Sequence, residues 1–293
     1  MQAMRRVAIL GGVRIPFCRN NTAYFDIGNL GLSTIVLGGL VEKFQLQGQI
    51  LGEVAMGAVL KHSSDFNLAR EATLSSGLSP HTPGITITRA CGTGLDSLIT
   101  VANKIAVGQI EAGIGGGSDT TSDVPIAVSK KLRRRLLDLN RARSLGERIK
   151  AALKGFSLGE FKPEFPGVAE PRTGKSMGES CEDMAKQWQI GREDQDLLAY
   201  ESHQKAAAAY ARGFYSDLVM PLRGLDKDNI LRPDTSLEKL ATLKPAFDKR
   251  SGNGTLTAGN STNLSDGASA ALLSSEAWAQ ANGKEIQAYL VDA

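Results

Sequence analysis

Apolar and polar residues alternate with two different periods along the first 116 residues. Short apolar runs typical of buried strands are separated by longer stretches in which apolar residues recur every three or four positions, the spacing of an amphipathic helix. The pattern predicts strands at 5–11, 52–59, 85–88 and 112–116, and helices at 27–44, 69–77 and 94–107. This order predicts a largely parallel sheet with right-handed crossovers and helical cover.

The pattern changes after residue 121. It predicts a basic helix at 130–149, further helices at 177–189 and 194–212, and returning strands at 268–274 and 286–291. We expect the two returning strands to join the sheet formed by the first 116 residues. We therefore predict one α/β domain made of residues 1–121 and 253–293. A mainly helical domain at 122–252 would then be inserted into it.

Composition indicates a soluble, globular chain with a sizeable core. Of its 293 residues, 42% are hydrophobic, and no apolar run approaches the roughly 18 residues of a membrane-spanning helix. The start of the chain has no signal-peptide cleavage pattern, so we expect a cytoplasmic location, with an organelle matrix as the alternative. Cys18, Cys91 and Cys181 are far apart and form no Cys-x-x-Cys pair, which argues against disulfides and a zinc site.

One cysteine stands where the strand pattern gives way to a helical pattern. Cys91 follows the alternating residues 84–88 and precedes Gly92, Thr93 and Gly94. A thiol in the first turn of a helix experiences the positive end of the helix dipole and unpaired N–H groups, which favour the thiolate. The glycines leave room for a ligand to approach the sulfur. Cys91 is therefore either a nucleophile or a small buried side chain.

The Cys91 turn resembles the nucleophile turn of the thiolase family, which includes acetyl-CoA acetyltransferases and 3-ketoacyl-CoA thiolases. Further stretches resemble the family in the same order: 11–17 (GGVRIPF), 115–119 (GGGSD), 177–182 (MGESCE), 192–196 (REDQD), 244–247 (KPAF) and 257–268 (TAGNSTNLSDGA). The resemblance implies a five-stranded, mostly parallel sheet with helices on both faces and an inserted loop domain. The basic segment makes the chain most similar to the thiolase subunit of fatty-acid oxidation complexes.

The resemblance implies acyl transfer between CoA thioesters. In the family, a 3-ketoacyl-CoA and CoA yield acyl-CoA and acetyl-CoA, or the reverse condensation occurs, through an acyl-cysteine that here would form on Cys91. Sulfur suits this exchange because the leaving group is itself a thiolate. CoA and acyl-CoA are substrates, and the resemblance implies no covalently bound cofactor and no metal.

Five residues match positions at which the family contacts its substrate. Thr262 stands where a serine commonly contacts the pantetheine, and Ala258 takes the neighbouring small-residue position. Arg232 and Phe247 match residues near the nucleotide. Met177 matches a side chain at the acyl end.

Two family motifs do not occur in these 293 residues. Thiolases use a histidine in Gly-His-Pro as the base and a second cysteine in Cys-x-Gly as an acid and base, and the sequence contains neither motif. We therefore expect the C-terminal thiolase domain to be absent from this chain and the nucleophile to lack its base. A catalytically silent CoA-binding or assembly module, as a fragment or as half of a split thiolase, is the alternative.

A third hypothesis is a decarboxylating condensing enzyme that acts on carrier-protein thioesters. The thiolase-like stretch that begins at Thr257 argues against it.

The thiolase resemblance also implies a homodimer or higher oligomer, and a hydratase/dehydrogenase subunit as a partner.

Positive charge is concentrated in residues 130–154. This segment has ten Lys and Arg against two acids, a charge of +8, whereas the whole chain carries +3. Leucines interleave with the arginines. The segment is thus a solvated face, a site that attracts CoA phosphates, or a surface for an anionic membrane or partner subunit. It has no aromatic residue for base stacking, which argues against nucleic acid.

Overall fold

The computed structural model describes residues 4–292. Its strands are β1 (Val7–Arg14), β2 (Cys18–Arg19), β3 (Glu53–Gly57), β4 (Gly84–Ile87), β5 (Ala112–Asp119), β6 (Ala127–Val128), β7 (Pro163–Glu164), β8 (Ser265–Ser275) and β9 (Ala288–Leu290). Its helices are α1 (Asn29–Phe44), α2 (Leu68–Ser75), α3 (Thr93–Ala106), α4 (Lys130–Arg141), α5 (Leu145–Leu153), α6 (Met177–Gln187), α7 (Arg192–Ala211), α8 (Leu237–Ala241) and α9 (Glu276–Ala281). Every strand and helix predicted for the first 116 residues is present.

The central sheet has the strand order β4-β3-β5-β8-β1-β9, and β2 pairs with β8. β3 runs parallel to both of its neighbours, whereas β8 is antiparallel to β5 and β1, and β9 is antiparallel to β1. Consequently β1, β3, β4 and β5 share one direction, and the predicted mostly parallel sheet is confirmed. The sheet has more than the five strands predicted, because β9 and the two-residue β2 also pair with it.

Helices cover both faces of this sheet. Neighbouring residues of one strand point to opposite faces, so Ala8 packs in one cluster with α1 and α2, whereas Val7 packs in the other with α3. Leu272 and Leu273 of β8 divide between the two clusters in the same way. The predicted three-layer arrangement is therefore confirmed.

Glycines in β5 allow α3 to lie very close to the sheet. A Cβ at Gly115 would lie 2.6 Å from Leu98 Cα, a distance that packed atoms do not tolerate. Further along, a Cβ at Gly117 would be 3.4 Å from Gly94 Cα. This packing places the start of α3 beside the end of β5.

The chain between β5 and β8 forms helices α4 to α8, a 3-10 turn at Leu158–Phe161 and a separate two-stranded sheet of β6 and β7. The single basic helix predicted at 130–149 is wrong, because the chain ends α4 at Arg141 and begins α5 at Leu145. Ser144 caps the second helix in a capping box with Glu147. Within residues 4–292, no helix has the length and apolar character needed to cross a membrane. The domain boundaries stay a prediction.

Replacing Gly115 with alanine is expected to lower the free energy of unfolding by about 1–3 kcal/mol, because the new methyl group would overlap the backbone of α3. Gly146→Ala in α5 is the matched control, since its added Cβ meets open space and alanine favours a helix. Urea unfolding of both variants checks this. Equal stability of Gly115→Ala and the unsubstituted protein would contradict the packing argument.

Candidate active site

Cys91 lies in the turn between β4 and α3. The expectation that it belongs to the first helical turn is wrong, because α3 begins at Thr93 and Gly92 is its N-cap residue. The turn closes through backbone hydrogen bonds from Gly92 N to Arg89 O (3.0 Å) and from Thr93 N to Ala90 O (3.2 Å). Cys91 is thus displayed on a tight turn just ahead of the helix.

The hydroxyl of Thr93 fastens this turn. It accepts a hydrogen bond from Arg89 N at 2.8 Å and donates one to Ala90 O at 2.7 Å. Ala90 has φ = 42°, in the left-handed region that residues with a Cβ rarely adopt. A strained conformation next to the candidate nucleophile is therefore held by two hydrogen bonds from one buried side chain.

The Cys91 side chain is exposed and borders a cleft of about 240 Å³. Small residues from the ends of several strands and of α3 form most of the wall. They are Gly57, Ala90, Thr93, Gly94, Gly117, Ser118, Ser265, Gly267, Ala268 and Ser269. Such a wall leaves space for an extended ligand to reach the sulfur, and the alternative of a buried, packed cysteine is wrong.

Two larger side chains in this cleft were not predicted as site residues. Asp119 accepts hydrogen bonds from the backbone N–H groups of Val59 and Leu60, and burial raises the pKa of its carboxyl. Phe17 forms another part of the wall. Phe17 and Asp119 are the last residues of two stretches, 11–17 and 115–119, that resemble the thiolase family. This resemblance is the sequence feature from which both could have been predicted as site residues.

The inserted segment fixes Phe17. Asp228 accepts a hydrogen bond from Phe17 N at 2.7 Å and binds both terminal nitrogens of Arg14, at 2.7 and 3.0 Å. The Arg14 guanidinium also lies 4.8 Å from the centre of the Phe17 ring. The loop around Asp228 therefore shapes the cleft next to Cys91, although it is more than 130 residues away in sequence.

Three of the five predicted substrate contacts lie together around a second cavity of about 170 Å³. Arg232 and Ala258 line it, and Thr262 is exposed between two lining residues, Ser261 and Asn263. Arg232 N donates to His203 Nδ1 at 3.3 Å, while burial, and next the charge of Arg232, lower the pKa of His203. The remaining lining residues are Asp234, Thr235, Lys239, Leu240, Leu243 and Gly259.

The other two predicted contacts lie at the start of α6. Met177 is exposed, and a Cβ on the next residue, Gly178, would lie 2.0 Å from Phe247 Cε1. The Phe247 ring therefore rests directly on the helix. It lines a third cavity, of about 480 Å³, whose other residues are mainly charged.

One continuous stretch of chain connects the first two cavities. Residues 258–263 border the cavity at Arg232, and residues 265–269 border the cleft at Cys91. A ligand that follows this stretch would pass from a cationic cavity to the candidate nucleophile.

A family model described as the thiolase N-terminal domain matches residues 7–277. The chain belongs to the thiolase family. It is 40% identical to the 3-ketoacyl-CoA thiolase of Shewanella baltica (strain OS155), over 97% of this chain and 66% of that relative. The identity to the 3-ketoacyl-CoA thiolase of Shewanella loihica is 41% over the same shares. This thiolase chain spans about two thirds of the length of these relatives.

Solved thiolase structures have the same fold. Human mitochondrial 3-ketoacyl-CoA thiolase in complex with CoA matches 99% of this thiolase chain, with a TM-score of 0.82 and 27% identity, over 70% of its own chain. Bacillus anthracis acetyl-CoA acetyltransferase matches 98% of the chain, with a TM-score of 0.81 and 28% identity, over 69% of its own chain.

Replacing Thr93 with valine is expected to lower the free energy of unfolding by about 1–3 kcal/mol, because Arg89 N loses its hydrogen-bond partner and Ala90 O keeps only the bond from Thr93 N. The Cys91 turn should also loosen, so the rate at which iodoacetamide alkylates Cys91 should change. Thr93→Ser keeps the hydroxyl and is the matched control. Identical alkylation rates in all three proteins would show that the turn does not depend on Thr93.

Proposed function

We propose that this thiolase chain takes part in acyl transfer between CoA thioesters, with Cys91 as the nucleophile. The observation that carries the proposal is the position of an exposed Cys91 in a cleft whose wall continues, through residues 258–269, to the cavity at Arg232. The similarity to 3-ketoacyl-CoA thiolases supports this activity, and so does the CoA complex of the human enzyme.

In the proposed reaction the Cys91 thiolate attacks the keto carbonyl of a 3-ketoacyl-CoA. The bond between Cα and the attacked carbon breaks, its electron pair stays on Cα, which takes up a proton from water to give acetyl-CoA, and an acyl-Cys91 thioester remains. The thiolate of a second CoA then attacks this thioester and releases acyl-CoA and the Cys91 thiolate. The reverse sequence condenses two thioesters.

The proposed contacts of CoA are Arg232, Ala258 and Thr262. Phe247 and Met177 would extend this CoA-binding surface along α6. Arg232 contributes a cation for the phosphates of CoA, whereas small residues at 258–263 leave room for its pantetheine arm. Degradation of 3-ketoacyl-CoA in fatty-acid β-oxidation is the proposed pathway. The cytoplasm is the proposed location, with an organelle matrix as the alternative.

A silent CoA-binding or assembly module remains the second candidate function. Its support is the sequence itself, which has no Gly-His-Pro and no Cys-x-Gly motif to supply the proton transfers that accompany turnover. Thioester exchange at Cys91 and full turnover are therefore separable properties of this chain.

Incubation with acetyl-CoA is expected to add one acetyl group, about 42 Da, to the intact protein, because thioester exchange needs only a thiolate and a bound acyl donor. Intact-mass spectrometry measures the adduct, which Cys91→Ala should abolish. Cys181→Ala is the matched control, since it removes another exposed thiol outside the cleft. CoA binding without an adduct would favour the silent module, and an adduct that persists in Cys91→Ala would refute the assigned nucleophile.

The sheet edge supports a proposal about assembly. β4 is the last strand on its side of the central sheet, and Ile85 on it is 39% exposed. An open edge can pair with the same strand of a second copy. We therefore propose a homodimer, or a higher oligomer built from it, through the α/β domain.

The hairpin formed by α4 and α5 has a surface that is both apolar and basic. Nine of the ten basic residues between 130 and 154 are exposed, and Leu145 and Leu153 are 75% and 69% exposed. The tenth, Arg135, is buried against Glu160 and donates to Ala151 O at the end of α5, which fastens the hairpin. This combination favours an anionic lipid surface over a protein subunit as the partner.

Sedimentation with phosphatidylglycerol vesicles is expected to carry the protein down, whereas phosphatidylcholine vesicles should not, because only the former attract the basic residues. Leu145→Glu together with Leu153→Glu should abolish this binding. Leu198→Glu on α7 is the matched control, as Leu198 is 72% exposed. Absence of vesicle binding, with capture of a hydratase/dehydrogenase subunit instead, would overturn the lipid assignment.

A further inference from the structure

The buried carboxylate of Asp196 connects two walls of the cavity at Arg232. Asp196, on α7, is only 4% exposed. Its Oδ1 accepts a hydrogen bond from Asn260 Nδ2 at 2.9 Å, and its Oδ2 accepts one from Arg192 Nε at 2.7 Å. The two partners hold different parts of the cavity wall, and Asp196 connects them.

Asn260 connects Asp196 to the first wall. Its Oδ1 accepts a hydrogen bond from Thr257 N at 2.7 Å, and its Nδ2 also reaches Thr255 O at 3.3 Å. The segment held in this way includes Ala258 and Gly259, which line the cavity. The conformation of this wall therefore depends on how Asp196 orients the Asn260 amide.

Arg192 connects Asp196 to the second wall. While its Nε binds Asp196, its Nη2 donates to Leu240 O at 2.6 Å and to Leu243 O at 3.1 Å. Leu240 and Leu243 line the cavity beside the 258–263 segment. Because the guanidinium is planar and rigid, fixing one of its edges fixes the other.

The two walls touch each other directly. A Cβ at Gly259 would lie 2.4 Å from Leu243 Cδ1 and 2.6 Å from Leu240 Cδ2. The two leucine side chains therefore pack against Gly259 at this point, and the hydrogen bonds of Asp196 oppose separation of the walls. The contact of Gly259 with the two leucines and the hydrogen bonds of Asp196 together set the width of the cavity.

We propose that Asp196 is a positioning residue that sets the affinity of this cavity for CoA. It does not line the cavity and acts through Asn260 and Arg192 on the two walls. The inference rests on the proposed function, in which CoA occupies this cavity. It adds that the spacing of the walls, to which Asp196 contributes beside the Glu182 carboxylate that binds Thr255 and Leu256, determines how tightly CoA binds.

The test is isothermal titration of CoA into the protein and its variants. Asp196→Asn keeps the size of the side chain but loses one of the two acceptor oxygens, so the Kd for CoA should rise roughly tenfold. Arg192→Lys keeps a cation beside Asp196 but cannot also bind both leucine carbonyls, so its Kd should rise as well. Asp194→Asn, an exposed acid two residues away on α7, is the matched control and should bind like the unsubstituted protein.

Alkylation of Cys91 by iodoacetamide separates positioning from general damage to the fold. The Cys91 cleft is lined by none of these residues, so its alkylation rate should remain unchanged in both variants. Unchanged CoA affinity in a folded Asp196→Asn and in Arg192→Lys would overturn the inference and leave the proposed function intact. Lack of CoA binding by the unsubstituted protein would overturn both.

Discussion

The close approach of α3 to the glycines of β5 is the constraint on which the candidate site depends. A side chain at Gly115 would push the helix away from the sheet, whereas a Cβ at Gly117 would only come into contact with Gly94 of the helix. With glycine there, the helix starts at the end of β5, and the turn that precedes it displays Cys91 over the ends of the strands. A packing requirement in the core thereby determines where the candidate nucleophile lies.

The spacing of apolar residues was enough to predict the strands of the sheet and the helices that cover it. Apolar residues recur with different periods in strands and in amphipathic helices. The spacing failed where a local polar interaction decided the outcome. Ser144 and Glu147 begin a new helix inside a segment with helical character throughout, and hydrogen bonds of Thr93 hold Cys91 just outside α3. Side-chain capping of this kind depends on geometry that a periodic pattern does not contain.

The candidate site was predictable where it resembles a family and unpredictable where it depends on distant partners. Motif matches predicted Cys91, Arg232 and Ala258 as site residues, and the structure places Cys91 in the cleft and the other two around one cavity. Nothing in the sequence pairs Phe17 with Asp228, or Asp196 with Asn260, because each pair is joined only after the inserted segment packs onto the sheet. Carboxylates of the inserted segment therefore shape both cavities through contacts with residues that are distant in sequence.

The most direct measurement of the central claim is a crystal structure of the protein soaked with acetyl-CoA. The account predicts an acetyl thioester on Cys91 Sγ, with CoA following residues 258–269 toward Arg232. An unmodified Cys91 with CoA bound elsewhere on the molecule would contradict it.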